Sequence, residues 1–137
     1  MILKGNRYED VRGIITFNNE FDASSVKRIY TIENQSTAQV RGWQGHKIEQ
    51  RWFACMKGSF KICVIEVDDF QQPSRDLTIN TYYLTDKELT YLHVKAGCIT
   101  AIQSTEEGSK LLVLADYELG EIHDEYRFDL DYFANKC

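Results

Sequence analysis

The sequence predicts an all-β sandwich or barrel, and three observations support this prediction. Hydrophobic and polar residues alternate along most of the chain. About eight short β-prone segments follow one another at spacings of roughly 8 to 15 residues, and no long helical pattern separates them. A parallel α/β fold is disfavoured because its crossover connections need helices, for which the chain has no room.

Each predicted strand is bounded by residues typical of turns. The alternation is clearest in residues 60–65 and in the β-branched run 26–32. Turn signals stand at Gly58, at Gly97 and in residues 106–108. The predicted strands are residues 13–17, 26–32, 51–56, 60–65, 77–84, 90–94, 98–103 and 110–115.

Two short helical signals lie near the two ends of the chain. Residues 21–26 contain polar residues that cap helices, which favours a turn there. Residues 129–136 place Leu130, Phe133 and Ala134 at helical spacing after an aspartate. We therefore expect a short C-terminal helix that packs on the barrel.

Composition predicts a single domain over residues 1–137. The chain has 43% hydrophobic and 12% aromatic residues, enough for a core without metal or disulfide staples. No apolar run approaches the ~18 residues of a membrane span, and charged residues interrupt the start of the chain where a signal peptide is apolar. We expect a cytoplasmic protein that does not contact membranes.

The four cysteines predict reduced thiols. Cys55, Cys63, Cys98 and Cys137 are widely spaced, and no C-x-x-C pair suggests a zinc or redox site. In a cytoplasmic protein most of them would serve as small core residues.

The charge distribution bears on the partner. The net charge is −5, yet the first 61 residues hold ten basic and six acidic residues, against six and fifteen in the rest. An acidic chain without a basic cluster argues against nucleic acid. Scattered arginines in the first half suit a smaller anion, and a solvated mixed surface is the alternative.

Three histidines limit every catalytic hypothesis. His123 lies among acidic residues, but consecutive residues on a loop rarely converge on one metal ion. His93 alternates along a predicted strand, a position typical of structural histidines. His46 lies in a loop ahead of a strand that ends at Gly58. Nucleophile elbows, glycine-rich phosphate loops and H-E-x-x-H motifs are missing from the sequence.

One combination of motifs resembles a known family. Residues 27–30 read K-R-I-Y, residues 41–47 read R-G-W-Q-G-H-K, and Gly58 follows His46 by twelve positions. These are similar to the K-R-(V/I)-Y strand, the R-G-x-H-A-H-(K/R) loop and the strand ending in G-S of the WxcM-like dTDP-sugar 3,4-ketoisomerases. This family of small cupins is related to the dTDP-4-dehydrorhamnose 3,5-epimerases. Further similar segments, residues 9–13, 92–97, 111–116 and 126–133, extend the resemblance over nearly the whole chain.

The resemblance implies a fold and an activity. The fold would be a cupin-type double-stranded β-helix, a jelly-roll barrel, that forms a homodimer and binds a nucleotide-linked keto-deoxyhexose (a dTDP-sugar) in its mouth. The reaction moves a carbonyl from C4 to C3 through an enediol, without metal or organic cofactor. It needs a base with a pKa near neutrality and donors for the enediolate oxygen.

The resemblance also implies roles for individual residues. His46 matches the second histidine of H-A-H and is the expected catalytic base, and Tyr30 matches a tyrosine that would assist it. The expected substrate-binding residues are Arg12, Arg28, Arg41, Gln44, Trp43 and His93. From the residues alone, Tyr30 remains equally a core aromatic, and Trp43 either a pocket wall or a packed anchor.

Two departures from the family pattern leave the activity open. Gln44 stands in place of the first histidine of H-A-H, and Thr100 in place of the histidine in the second cupin motif. Glutamine forms hydrogen bonds but cannot carry a proton away. Catalysis would then depend on His46, with Tyr30 or His93 assisting, and a metal site of three histidines is not expected. The alternatives are a barrel that binds nucleotide sugars without efficient catalysis and a barrel with an unrelated interaction.

Overall fold

The computed structural model describes residues 1–137 and contains twelve strands, every pair of them antiparallel. Their bounds are β1 (Ile2–Leu3), β2 (Asn6–Asp10), β3 (Gly13–Phe17), β4 (Arg28–Ile32), β5 (Val40–His46), β6 (Arg51–Lys57), β7 (Ser59–Glu66), β8 (Asn80–Thr85), β9 (Tyr91–Val94), β10 (Cys98–Ser104), β11 (Lys110–Ala115) and β12 (Glu125–Arg127).

The strands form two five-stranded sheets and a separate hairpin. The first sheet has the order β1-β9-β6-β11-β4, the second β12-β5-β10-β7-β8, and β2 pairs only with β3. Strands that follow one another in the chain often lie in opposite sheets, which is typical of a jelly roll. The all-β prediction is confirmed, and all eight predicted strands are present, two of them (residues 13–17 and 110–115) with the predicted ends and six with shifted ends.

The main core lies between the two five-stranded sheets. Phe53, Phe60, Ile62, Leu111 and Val113 alternate along their strands and are buried there. Burial of each such side chain stabilises the fold by about 1.5–3 kcal/mol. Aromatic clusters cover part of the outer face of each sheet as well, so that β10 is buried at every position but one.

The predicted C-terminal helix is wrong. Residues 129–136 form turns and bends, and the chain contains no helix at all, hence none with the length and hydropathy to cross a membrane. Phe133 is fully buried against Trp43, and the backbone N–H of Ala134 donates to the carbonyl of Arg75 at 2.7 Å. Tertiary contacts thus replace the hydrogen bonds of a helix. A helix as short as this one would be only marginally stable.

The expectation of four reduced thiols is wrong as well. Cys63 of β7 and Cys137 at the chain terminus form a disulfide across 74 positions, while Cys55 and Cys98 are free and buried. The spacing of the cysteines in the sequence did not predict this disulfide. The two sulfur atoms come together only because residues 128–137 fold over the outer face of β7. Burial raises the pKa of the Cys55 thiol to about 12, which makes that thiol inert.

His46 ends a strand and does not lie in a loop. The glycines of β5 are required by close packing against β10. A Cβ on Gly42 would lie 2.7 Å from Ala101 Cα, and one on Gly45 would lie 2.1 Å from the Cys98 carbonyl oxygen. Glycine is therefore the residue that lets β5 lie against its neighbour.

Candidate active site

The position of His46 is determined by two neighbouring strands. It is the last residue of β5 and lies directly opposite Cys98 of β10 and Glu125 of β12. Only 11% of its side chain is exposed. The imidazole lies between two carboxylates, with Nε2 at 3.4 Å from Glu49 Oε2 and Nδ1 at 4.0 Å from Asp124 Oδ2.

Asp124 organises the segment that follows His46. Its buried carboxylate accepts hydrogen bonds of 2.7 to 3.0 Å from the backbone N–H groups of residues 47–49. Asp116 accepts a further bond from the N–H of Gln50 at 2.8 Å. Charge-assisted bonds of this kind are strong, so they hold this connection, and Glu49 on it, in one conformation.

The surroundings of His46 favour its neutral form. Burial lowers the pKa of His46 below its usual 6.5, and the positive charge of Arg51 lowers it further, against the opposing effect of Glu49 and Asp124. The imidazole is therefore uncharged at neutral pH. A neutral imidazole next to a cavity is able to accept a proton.

Arg51 links the histidine to Tyr30. Its guanidinium donates to Glu49, at 2.8 Å from Nε, and also to the Tyr30 hydroxyl. Because that hydroxyl accepts a bond from Arg51, its own proton is left for a different acceptor. Burial raises the pKa of Tyr30 against the opposing charges of Arg51 and Arg28, so the phenol is protonated at neutral pH.

A cavity of about 590 Å³ opens between the edge strands β4 and β12. Four of the eight residues predicted for the site line it, namely Arg28, Tyr30, Arg41 and Gln44. A bulge in β5 makes this possible, since the register with β10 shifts between Thr100 and Ile102, which lie opposite Gln44 and Arg41. Without the bulge, residues three apart would point to opposite faces.

His46 itself lies in an adjoining cavity of about 440 Å³. Arg28 and Glu125 line both cavities and form the boundary between them. The smaller cavity also contains Glu49, Asp124 and His123. No three His, Cys, Asp or Glu side chains are arranged to hold a metal ion.

Three predicted site residues lie elsewhere. Arg12 is 81% exposed in the turn of the β2–β3 hairpin, where it pairs with Asp10. Trp43 is buried on the outer face of β5 against Phe133, so it is a packed anchor. His93 lies outside both cavities that surround the His46 site.

The sequence did not point to five residues around the site: Glu49, Asp124, Glu125 and Arg127, which line the cavities, and Arg51, which bonds to Glu49 and Tyr30. Glu49 and Arg51 follow His46 closely in the sequence, and this proximity could have identified them as site residues. The other three come from β12 and the connection before it, more than 75 positions away. Only strand pairing with β5 brings them to His46, and the sequence contains no sign of that pairing.

A family comparison and a structural comparison identify the chain's relatives. The profile of the family described as "FdtA: WxcM-like, C-terminal" matches residues 2–137. The chain belongs to this family. The resemblance deduced from its motifs is therefore confirmed. A comparison with curated proteins finds no match.

Solved structures similar to this chain are sugar-nucleotide enzymes. A histidine-to-asparagine variant of the 3,4-ketoisomerase QdtA from Thermoanaerobacterium thermosaccharolyticum, in complex with TDP-4-keto-6-deoxyglucose, is 25% identical. The TM-score is 0.70, over 93% of this chain and 86% of that one. The TDP-quinovose 3,4-ketoisomerase WlaRB from Campylobacter jejuni is 21% identical, with a TM-score of 0.68 over 98% and 97% of the two chains.

A more distant structure shares the fold. The rmlC epimerase of Mycobacterium tuberculosis is 14% identical, with a TM-score of 0.75 over 98% of this chain and 72% of that one. Similarity at this level of identity is evidence for the fold alone. Together with the family match, it confirms the cupin-type jelly roll expected from the sequence.

Proposed function

We propose that this chain is a nucleotide-sugar isomerase of the dTDP-4-keto-6-deoxyhexose 3,4-ketoisomerase or epimerase type. One observation carries the proposal: a neutral His46, held between two carboxylates, adjoins a cavity lined by arginines and a protonated tyrosine. The similar QdtA structure contains TDP-4-keto-6-deoxyglucose. The enzyme would need no metal or organic cofactor and would work in the cytoplasm.

The nucleotide would bind in the larger cavity. Arg28, Arg41 and Arg127 line it, and a guanidinium presents two parallel donors that match a diphosphate. Structures of QdtA with TDP support a nucleotide ligand for this fold. The boundary formed by Arg28 and Glu125 would then place the sugar within reach of His46 in the adjoining cavity.

The chemistry would begin at C3 of the sugar. His46 takes the C3 proton, the electron pair forms a C3=C4 double bond, and negative charge develops on O4. Tyr30 supplies a hydrogen bond to that oxygen, because Arg51 occupies its acceptor side and leaves the phenol proton available. Asp124 and Glu49 orient the imidazole and stabilise its charged form after the transfer.

The second candidate function is nucleotide-sugar binding with weak or no catalysis. Gln44 and Thr100 favour it, since they occupy positions of family histidines and lie opposite each other in adjacent strands. Neither side chain can exchange a proton near neutral pH. A missing acid–base group typically costs ~10²- to 10⁴-fold in rate.

We propose that the protein acts as a homodimer. The β2–β3 hairpin pairs with no other strand, yet it exposes Tyr8, Ile14 and Ile15. An isolated two-stranded sheet is marginally stable in water, so a second copy is the expected cover for this surface. In that dimer Arg12, at the tip of the hairpin, would contact the nucleotide in the second copy's cavity.

Light scattering after size exclusion tests the dimer. Wild type should have the mass of two chains and Ile15→Glu that of one, because a buried carboxylate at the interface is costly. Leu130→Glu, a similar change on a distant exposed leucine, is the control and should stay dimeric. A monomeric wild type contradicts the proposal.

Incubation with dTDP-4-keto-6-deoxyglucose in D₂O tests the activity. With wild type, NMR should detect movement of the carbonyl to C3, deuterium at C4 of that product, and deuterium at C3 of the remaining 4-keto sugar. A binder would raise its melting temperature with dTDP but leave the sugar protons unchanged. The absence of both effects would refute both candidate functions.

A further inference from the structure

The disulfide of this chain is connected to the wall of the larger cavity by one segment, the strap (residues 124–137). At the start of the strap lies β12, whose Glu125 and Arg127 line that cavity. At its other end, Cys137 is bonded to Cys63 of β7. The strap thus runs over the second sheet from its edge strand β12 to β7, and one covalent bond fixes its far end.

All other contacts that hold the strap are non-covalent. β12 has three residues and pairs only with β5, at the edge of the sheet. Trp43 and Phe128 exchange two backbone hydrogen bonds, of 3.1 and 2.9 Å, and Phe133 packs against Trp43. Residues 132–135 exchange hydrogen bonds with the irregular connection 73–77. Short edge segments open more readily than central strands, so the order of β12 depends on how firmly the rest of the strap is anchored.

The disulfide can be approached from one side. Cys137 is exposed, whereas Cys63 is fully buried, so a thiolate from solvent reaches the bond from the side of Cys137. Attack on the Cys137 sulfur makes Cys63 the leaving group. The hydroxyl of Thr81 lies 3.6 Å from the Cys63 sulfur and is placed to donate to it as it leaves. The surroundings of the bond therefore suit reduction as well as its formation.

We propose that Cys63 and Cys137 form a reversible redox site, opened by a dithiol reductant, that controls how firmly β12 closes the larger cavity. Lasting disulfides are rare in the cytoplasm, the location proposed for this chain, and those that form there commonly act as redox sensors. The main core between the two sheets contains no residue of the strap, so the reduced chain stays folded while its strap loosens. Only the consequence for nucleotide binding rests on the proposed function.

The opening reaction is thiol–disulfide exchange. One thiolate of the dithiol attacks the Cys137 sulfur, the S–S bond breaks, and Cys63 leaves as a thiolate that takes up a proton. The second thiol of the reductant then attacks the mixed disulfide and releases Cys137. The chain gains two electrons and two protons, and the reductant is oxidised to a disulfide.

Hydrogen exchange with and without dithiothreitol tests the control of the strap. On reduction, the amide of Phe128 should exchange ~10-fold faster, as should the amides of residues 47–49, which bond to Asp124, while those of the central strand β10 stay protected. Cys137→Ser should exchange like the reduced wild type under both conditions. Cys55→Ser, which replaces a free buried thiol, is the matched control and should still respond to dithiothreitol.

Titration calorimetry with dTDP tests the consequence for the cavity. Glu125 and Arg127 belong to β12, so reduction of wild type should weaken dTDP binding ~10-fold, and Cys137→Ser should bind as weakly as the reduced form. If neither form binds dTDP, the proposed function fails, while hydrogen exchange still decides whether the disulfide controls the strap.

Four results would overturn the inference. Four free thiols in the air-oxidised protein, counted by alkylation and mass spectrometry, would exclude the redox site. A bond that resists excess dithiothreitol in the folded chain would be a permanent structural bond. Equal hydrogen exchange in the oxidised and reduced chains would show that the strap is held without the disulfide. Equal dTDP affinity of the two forms would refute control of the cavity.

Discussion

His46 at the end of β5 and His93 within β9 are both partly buried histidines, yet their surroundings differ. Burial lowers the pKa of each. His46 lies between two carboxylates at a cavity. His93 stacks on Trp52 at 4.9 Å, nearly parallel, and forms a 2.7 Å hydrogen bond with the side chain of Gln50.

Under the proposed function, this difference separates the catalytic histidine from the structural one. A lowered pKa is common to both, so it does not distinguish them. Two carboxylates lie within 4.0 Å of the His46 imidazole and none lies that close to His93, although a cavity of about 500 Å³ adjoins His93 as well. The Gln50 amide and the Trp52 indole ring hold His93 in place, and the more distant charge of Asp116 raises its pKa only against the larger effect of burial.

Replacement of the two histidines gives the largest contrast. His46→Asn should lower kcat for carbonyl migration by ~10³-fold, because the base is lost. NMR of the sugar product measures it. If His46→Asn retains wild-type kcat, or if His93→Asn lowers kcat as much, the proposed difference in role between the two histidines is wrong.

Tyr30→Phe should lower kcat by ~10²-fold and leave the melting temperature nearly unchanged, because the phenol proton that stabilises charge on O4 is lost while the ring stays packed. Steady-state kinetics with the keto sugar measure the effect. A change confined to KM would show that Tyr30 only binds substrate.

Asp124→Asn tests the support of His46. The amide can accept fewer of the N–H bonds from residues 47–49 and no longer stabilises the imidazolium, so we expect a loss of ~10-fold in kcat and a lower melting temperature. Asp129→Asn, on the exposed C-terminal segment, is the control. Unchanged kcat in the Asp124 variant would contradict the role.

The pH profile tests the charge balance around His46. In the proposed mechanism the neutral imidazole is the active form, so kcat/KM should fall as pH drops through a pKa below 6.5. Arg51→Gln removes a positive charge that lowers this pKa, which should move the acid limb of the profile to higher pH. A limb that stays in place in the variant would show that another group titrates.

The smallest expected effect is that of His93→Asn. The stacking on Trp52 and the bond to Gln50 are lost, at a cost of about 1 kcal/mol in the free energy of unfolding, with kcat within twofold of wild type. Urea unfolding and the isomerase assay measure the two quantities. A large loss of activity in His93→Asn would indicate that His93 binds substrate, the role that the family resemblance implies.

The alternation of apolar residues predicted the fold well because it is a local signal. Strands such as β7 and β11 each contain their own alternation of apolar and polar residues. The family motifs then indicated that the strands form a jelly roll. The C-terminal helix was predicted from an equally local pattern, and it failed because Phe133 is buried by distant contacts. The disulfide between Cys63 and Cys137 had no local sign.

The sequence by itself determined eight of the twelve strands, the family and the candidate for the base, His46, because period-two alternation and short motifs act over neighbouring residues. The tertiary structure alone decided which side chains meet that base. A bulge in β5 turned Arg41 and Gln44 to the same face, and pairing with β12 brought Asp124 and Glu125 to His46 from far along the chain. Strand register is a property of the whole sheet, so no single segment encodes it.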